Sequence, residues 1–134
     1  MAPPRIRVLI ADDHAGYREG LVRAVAADPR LELVGEAGDG AQAIGLARLL
    51  QPDVLLLDVR MPGQGGMDVC RAIVADPPTP GFRVVLITAS PGDDFDVRAR
   101  EAGAVAGVAK ETPRSELMRL LRGEVDGHGA GGVD

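Results

Sequence analysis

The run Val54-Leu55-Leu56-Leu57, set between Pro52 and Gly63 and followed at once by Asp58, constrains this chain more than any other stretch. Unbroken apolar residues over so short a span describe a strand covered on both faces, as in the middle of a parallel sheet, because a half-exposed strand alternates instead. A carboxylate leaving the carboxyl end of such a strand stands in the crevice where open α/β sheets bind ligands. Taken alone, Asp58 could equally stop the strand, since Asp is a common turn residue. Its company argues otherwise. Asp12-Asp13 follow the apolar run Ile6 to Ala11, Thr88 closes the run Val84 to Ile87, and Lys110 follows Ala104 to Ala109. The strand ends thus carry acids, a hydroxyl and an amine.

Between these runs the pattern changes to a helical one. Residues 15–27 place Tyr17, Leu21, Ala24 and Val25 on one apolar stripe, and Asp28-Pro29 stops it. Leu31 to Gly35 is a second short strand whose polar positions suit a sheet edge. Asp39-Gly40-Ala41-Gln42 has the spacing of a capping box, and Ala43, Ala47 and Leu50 continue one helical face to Gln51-Pro52. Met67, Cys70, Ile73 and Val74 mark a third helix ending at Asp76-Pro77-Pro78, with Cys70 a core residue. Phe82 to Thr88 is the fourth strand. Phe95, Ala99 and Ala102 give the fourth helix a thin stripe, so it is expected to be loosely held. Thr112 as N-cap and Pro113 at the first helical position start a fifth helix with Leu117, Leu120 and Leu121 inward. Strands alternating with helices imply a parallel sheet with helices on both faces, a doubly wound, flavodoxin-like (βα)5 fold.

A chain of 134 residues fits one domain that buries roughly two thirds of its unfolded surface. A net charge of −5, with scattered basic residues, argues against a nucleic-acid surface on this chain. The single cysteine excludes an internal disulfide and a thiolate metal site. Met1-Ala2-Pro3-Pro4 leads straight into a strand and no apolar run approaches the ~20 residues that span a bilayer, so no signal peptide, no membrane contact and a cytoplasmic location are expected. Adjacent acids at a strand end resist ionising together without a cation, and clustered carboxylate oxygens favour a hard metal such as Mg²⁺. Asp12, Asp13 and Asp58 supply that cluster.

Asp12-Asp13, Asp58 with Met61-Pro62 behind it, Thr88-Ala89 and Lys110 together resemble the receiver domain of two-component response regulators, the CheY-like family. Val8-Leu9-Ile10-Ala11-Asp12-Asp13-His14, with Arg18-Glu19-Gly20-Leu21 after it, is most similar to the NarL/FixJ (LuxR-type) subgroup. The resemblance implies a receiver domain over residues 5–122, a flexible glycine-rich tail or linker over 123–134, and the strand order 2-1-3-4-5. It also implies a phosphoprotein of signal transduction and transcription regulation. A sensor histidine kinase phosphorylates Asp58 to an aspartyl phosphate, with no enzymatic activity beyond self-catalysed phosphoryl transfer and dephosphorylation. By the same resemblance Mg²⁺ is held by Asp13, Asp58 and the backbone carbonyl of Arg60, with waters positioned by Asp12. Thr88, Lys110 and the backbone N–H of Ala89 receive the phosphoryl oxygens. DNA is reached only through an output domain that this chain does not contain, and homodimerisation is left open. Either the chain is a receiver whose tail is a linker, or it is a single-domain regulator that docks a partner.

The chain departs from the family at two places. Gly107 stands three residues before Lys110, where most members carry Tyr or Phe, and Glu111 replaces a frequent Pro. With no ring at 107 the usual hydroxyl-to-aromatic coupling cannot operate in its ordinary form, and the space beneath the fourth helix is expected to lack a contact. A Tyr introduced at 107 is expected to restore bulk there. A degenerate receiver that binds partners without phosphorylation is the alternative reading. A haloacid-dehalogenase type phosphatase needs a second Asp two residues after its nucleophile, where this chain has Arg60. His14 is a conceivable alternative nucleophile, but it only starts the first helix.

Overall fold

In a computed structural model that describes residues 4–124, five strands alternate with five helices. They are β1 (Ile6–Ala11), α1 (Ala15–Ala26), β2 (Leu31–Ala37), α2 (Gly40–Leu50) and β3 (Val54–Asp58), then α3 (Gly66–Ala75), β4 (Arg83–Thr88), α4 (Phe95–Glu101), β5 (Ala106–Ala109) and α5 (Arg114–Arg122). All pairings are parallel and the strand order is β2-β1-β3-β4-β5, so the expected doubly wound fold is the observed one. No helix among the described residues is long and apolar enough to cross a membrane.

The strands lack alternation because each side of the sheet has its own core. Leu9, Leu55, Leu57, Val84 and Leu86 pack with α2, α3 and α4 on one face, through Ala43, Ala47, Val69, Cys70, Ile73, Phe95 and Ala99. Val8, Ile10, Val54, Leu56, Val85 and Ile87 pack with α1 and α5 on the other, through Leu21, Val25, Leu117 and Leu121. Val54 to Leu57 are fully buried, as a central strand requires. Cys70 is a core residue, its thiol pushed up to about 11 by burial and set 3.4 Å from the Ala102 carbonyl.

Boundaries differ from expectation where loop hydrogen bonds intervene. Asp39 caps α2 by accepting from the Gln42 N–H at 2.8 Å, but the Gln42 side chain accepts from Gly38 at 2.7 Å, one residue earlier than a reciprocal box. Thr112 donates its N–H to the Ala109 carbonyl at 3.0 Å and so belongs to the turn after β5. The cap of α5 is therefore Pro113, and the helix begins at Arg114. Ala104 lies outside β5, its N–H bonded back to the Ala99 carbonyl at the end of α4. Of the expected tail, Gly123 and Glu124 close α5 by donating to Leu120 and Arg119 carbonyls, and residues 125–134 lie outside the described residues.

Gly107 overturns the expectation of a void. A Cβ built there would stand 2.6 Å from Ala99 Cβ and 3.0 Å from the Phe95 ring, so α4 lies directly on the bare strand backbone. The Gly107 N–H donates to Asp96 Oδ1 at 2.8 Å, tying the first turn of α4 to β5. The thin stripe is adequate because glycine lets the helix come close; Phe95, Ala99 and Ala102 are all buried. A side chain at 107 would drive α4 off the sheet. Gly107→Ala is expected to destabilise the protein by about 1–3 kcal/mol through overpacking, read from the midpoint of urea denaturation. A larger residue such as Tyr is expected to cost more, and an unchanged midpoint would contradict the close seat of α4.

Candidate functional site

Strand register makes the site. Ala11 pairs with Leu57, Asp58 with Ile87 and Thr88 with Ala109, so the carboxyl ends of β1, β3, β4 and β5 are level. Asp12, Asp58, Thr88 and Lys110 consequently share one edge of the sheet. Asp12, Asp58 and Thr88 are the buried polar residues among those described. Gly66 helps hold this edge: its N–H donates to the Val59 carbonyl at 2.9 Å, and a Cβ there would sit 2.5 Å from Val59 Cα. It is a close-approach position behind Asp58.

Each buried acid has one oxygen fixed by backbone. His14 N–H donates to Asp12 Oδ1 at 2.7 Å, and Arg60 N–H donates to Asp58 Oδ1 at 3.0 Å. The outer oxygens converge on Lys110 Nζ, 2.7 Å from Asp12 Oδ2 and 3.1 Å from Asp58 Oδ2. Both outer oxygens are therefore charge-paired with the one ammonium. Asp13 is exposed beside them, and one oxygen from each of Asp12, Asp13 and Asp58 lies within 4.8 Å of the others. Three carboxylates in excess of one ammonium make an all-oxygen anionic donor set that fits a hard divalent cation.

Burial pushes the Asp58 carboxyl above its usual range, with the Asp12 charge adding to the rise and the Arg60 N–H and Lys110 opposing it. Burial pulls Lys110 down, but the carboxylates of Asp12 and Asp58 outweigh it and hold the ammonium above its ordinary value. Lys110 is thus charged wherever the protein is folded at moderate pH.

The remaining sequence candidates fall around this cluster. Thr88 Oγ1 lies 3.3 Å from the Ser90 N–H, and the Thr88 carbonyl accepts from the Lys110 N–H at 2.8 Å. Ala89 follows on the exposed side of the crevice, and Arg60 is held by its N–H to Asp58. His14 caps α1, Nδ1 accepting from the Tyr17 N–H at 3.1 Å, which is a structural use of the ring. Two residues beside the site carried no sequence signal for it. Arg18 donates to the Asp12 carbonyl and, at 3.2 Å, to Glu36, locking the loop after β1 to the end of β2. Tyr17, read only as part of an apolar stripe, puts its ring beside Lys110.

Residues 8–122 match the response regulator receiver domain family. The chain is 40% identical over 120 residues to a probable transcriptional regulatory protein, NarL, of Mycobacterium tuberculosis, covering 89% of this chain and 54% of that protein. It is 38% identical over 117 residues to the response regulator GacA of Pseudomonas aeruginosa, covering 87% and 54%. The chain therefore spans about half the length of the curated relatives it matches. Among solved structures, the signal receiver domain of NarL from M. tuberculosis superposes with a TM-score of 0.82 at 39% identity, over 89% of this chain and 94% of that one. The response regulator domain of Thermotoga maritima CheB gives 0.80 at 30%, over 91% and 98%.

The raised carboxyl of Asp58 has a consequence for stability. Because the folded protein holds that proton more tightly than the unfolded chain, stability falls as pH rises from the unfolded value of about 4 toward the higher folded one, and the loss persists at neutral pH. Asp58→Asn removes this penalty while Asp12 keeps Lys110 paired. In EDTA the variant is expected to melt above the parent at pH 7, the gain shrinking as pH falls toward about 4 and absent below it. Calorimetric scans across pH check this, and a melting point lowered at pH 7 would contradict it.

Proposed function

The chain belongs to the response regulator receiver domain family, and from that premise we propose that it is the phosphorylation switch of a two-component system, accepting a phosphoryl group from a sensor histidine kinase on Asp58. The observation that carries this reading is the Asp58 carboxylate, buried at the end of the central strand with Oδ2 facing Lys110 and the crevice. In the transfer, a carboxylate oxygen of Asp58 forms the O–P bond while the P–N bond to the donor's phosphohistidine breaks. The imidazole nitrogen keeps the electron pair and takes a proton. Phosphoryl transfer is chiefly positioning and charge stabilisation, which suits the few polar groups gathered here.

Lys110, already between the two buried acids, exchanges a carboxylate partner for a phosphoryl oxygen. The Thr88 hydroxyl and the Ala89 N–H stand at the end of the neighbouring strand to meet the others. Asp13, Asp58 and the Arg60 carbonyl would hold Mg²⁺, with Asp12 positioning its waters. Bound there, the ion supplies the positive charge that lets two anions approach. The likeness to NarL and GacA supports a role in transcription regulation exerted through an output domain, since the match spans only half of each.

Incubation with a small-molecule phosphodonor and Mg²⁺ is expected to add one phosphoryl group by intact mass, and none to Asp58→Asn. Lys110→Ala is expected to slow uptake by about a hundredfold, the usual loss when one charge-stabilising donor is removed. A folded wild-type protein that gains no phosphoryl group would point instead to a binding module that acts without modification.

A further inference from the structure

Lys110 is the only lysine of the chain and Tyr17 its only tyrosine, and the two are in contact. The Tyr17 ring centroid lies 4.6 Å from Lys110 Nζ, and the Tyr17 hydroxyl donates to the Lys110 carbonyl at 3.1 Å. One side chain on α1 therefore holds the lysine at both its head and its backbone, across 93 positions of sequence. The Arg114 guanidinium, at the start of α5, lies 4.9 Å from the same ring. We propose that Tyr17 is a positioning residue for Lys110 in phosphoryl transfer, fixing the ammonium over the crevice so that it meets the incoming phosphoryl oxygens without first being ordered. The inference rests on the function proposed above and deepens it.

The physical case is preorganisation. A lysine side chain is a flexible stem with a compact charge, and ordering it during the reaction costs rotamer entropy. The two carboxylates restrain the ammonium only until a phosphoryl group arrives beside one of them. The ring is neutral, does not compete for the new partner, and still attracts the cation through its face. Its hydroxyl holds the turn that carries Lys110. The opposite side of β5 offers no such support, because α4 fills the space over Gly107.

The test compares Tyr17→Leu, which keeps the apolar packing, with Tyr17→Phe, which keeps the ring. With a small-molecule phosphodonor and Mg²⁺, Tyr17→Leu is expected to lose about tenfold in phosphorylation rate and Tyr17→Phe less than about threefold, with the Mg²⁺ concentration at half-maximal rate unmoved. A residue that acts through Lys110 should add nothing once Lys110 is gone, so Tyr17→Leu is expected to leave the rate of Lys110→Ala unchanged. A merely structural role would make the two losses multiply, and that result overturns the proposal, as does a Tyr17→Leu rate equal to or above wild type. In protein labelled with ¹³C-lysine, the one ε-methylene signal is expected upfield in wild type and Tyr17→Phe, and at its ordinary position in Tyr17→Leu. An unshifted wild-type signal overturns the contact whatever the chemistry. If wild type shows the shift yet takes no phosphoryl group, the function reading fails and a role in transfer fails with it; if wild type is phosphorylated and Tyr17→Leu matches it, only the inference fails.

Discussion

Two buried carboxylates sharing one ammonium are the interaction on which the rest of this structure depends. Asp12 and Asp58 sit at the ends of adjacent central strands, where apolar residues on both faces of the sheet exclude water. Unpaired, either charge would be costly there. Lys110 offsets both at 2.7 and 3.1 Å, but one cation cannot satisfy two buried anions, and Asp13 adds a third acid at the rim. The cluster is left short of positive charge. Burial raises the Asp58 carboxyl, the Asp12 charge adds to the rise, and the clustered carboxylate oxygens are of the kind that suit a hard divalent cation.

The sheet delivers this arrangement cheaply, because level strand ends in a parallel sheet gather residues from distant parts of the chain. Its two faces then divide the labour. On one, α4 is drawn onto β5 through Gly107, with Asp96 accepting the strand's free N–H and also pairing with Arg100 at 2.9 Å. On the other, α1 reaches the β5–α5 turn through Tyr17. The ring that attends the lysine thus comes from the first helix, while the strand position that most relatives fill with an aromatic is occupied by the helix itself.

Much of this was legible in the sequence, for reasons particular residues make plain. Val54 to Leu57 declared a two-sided strand because nothing polar interrupts them, and Asp12, Asp13, Asp58, Thr88 and Lys110 were visible as polar residues placed where apolar runs stop. The strand order needed the family resemblance, since the hydrophobic pattern is the same whichever neighbours pair. Gly107 was read in the wrong direction: a missing side chain looks like a hole until the distance between α4 and β5 is known. Tyr17 gave only its apolar half, because its partner lies in a turn that only tertiary structure brings near. Arg18 entered only within the subgroup resemblance, since its bond to the Asp12 carbonyl is made by the folded loop.

The choice between lysine and arginine across the chain follows the same physics. The guanidinium of Arg7 donates to the carbonyls of Leu50 and Gln51 at the end of α2, and that of Arg83 to the carbonyls of Leu120 and Leu121 at the end of α5. A planar fork suits two carbonyls at once, and a cation suits the negative end of a helix. Arg122 likewise bridges Asp28 and Glu124, joining α5 to the turn before β2. Each of these positions asks for a wide, fixed donor that stays charged. Between Asp12 and Asp58 the requirement is the opposite: a point charge small enough to lie between two carboxylates, with rotatable donors on a flexible stem. The chain's single lysine stands at that position, 2.7 Å from one buried acid and 3.1 Å from the other.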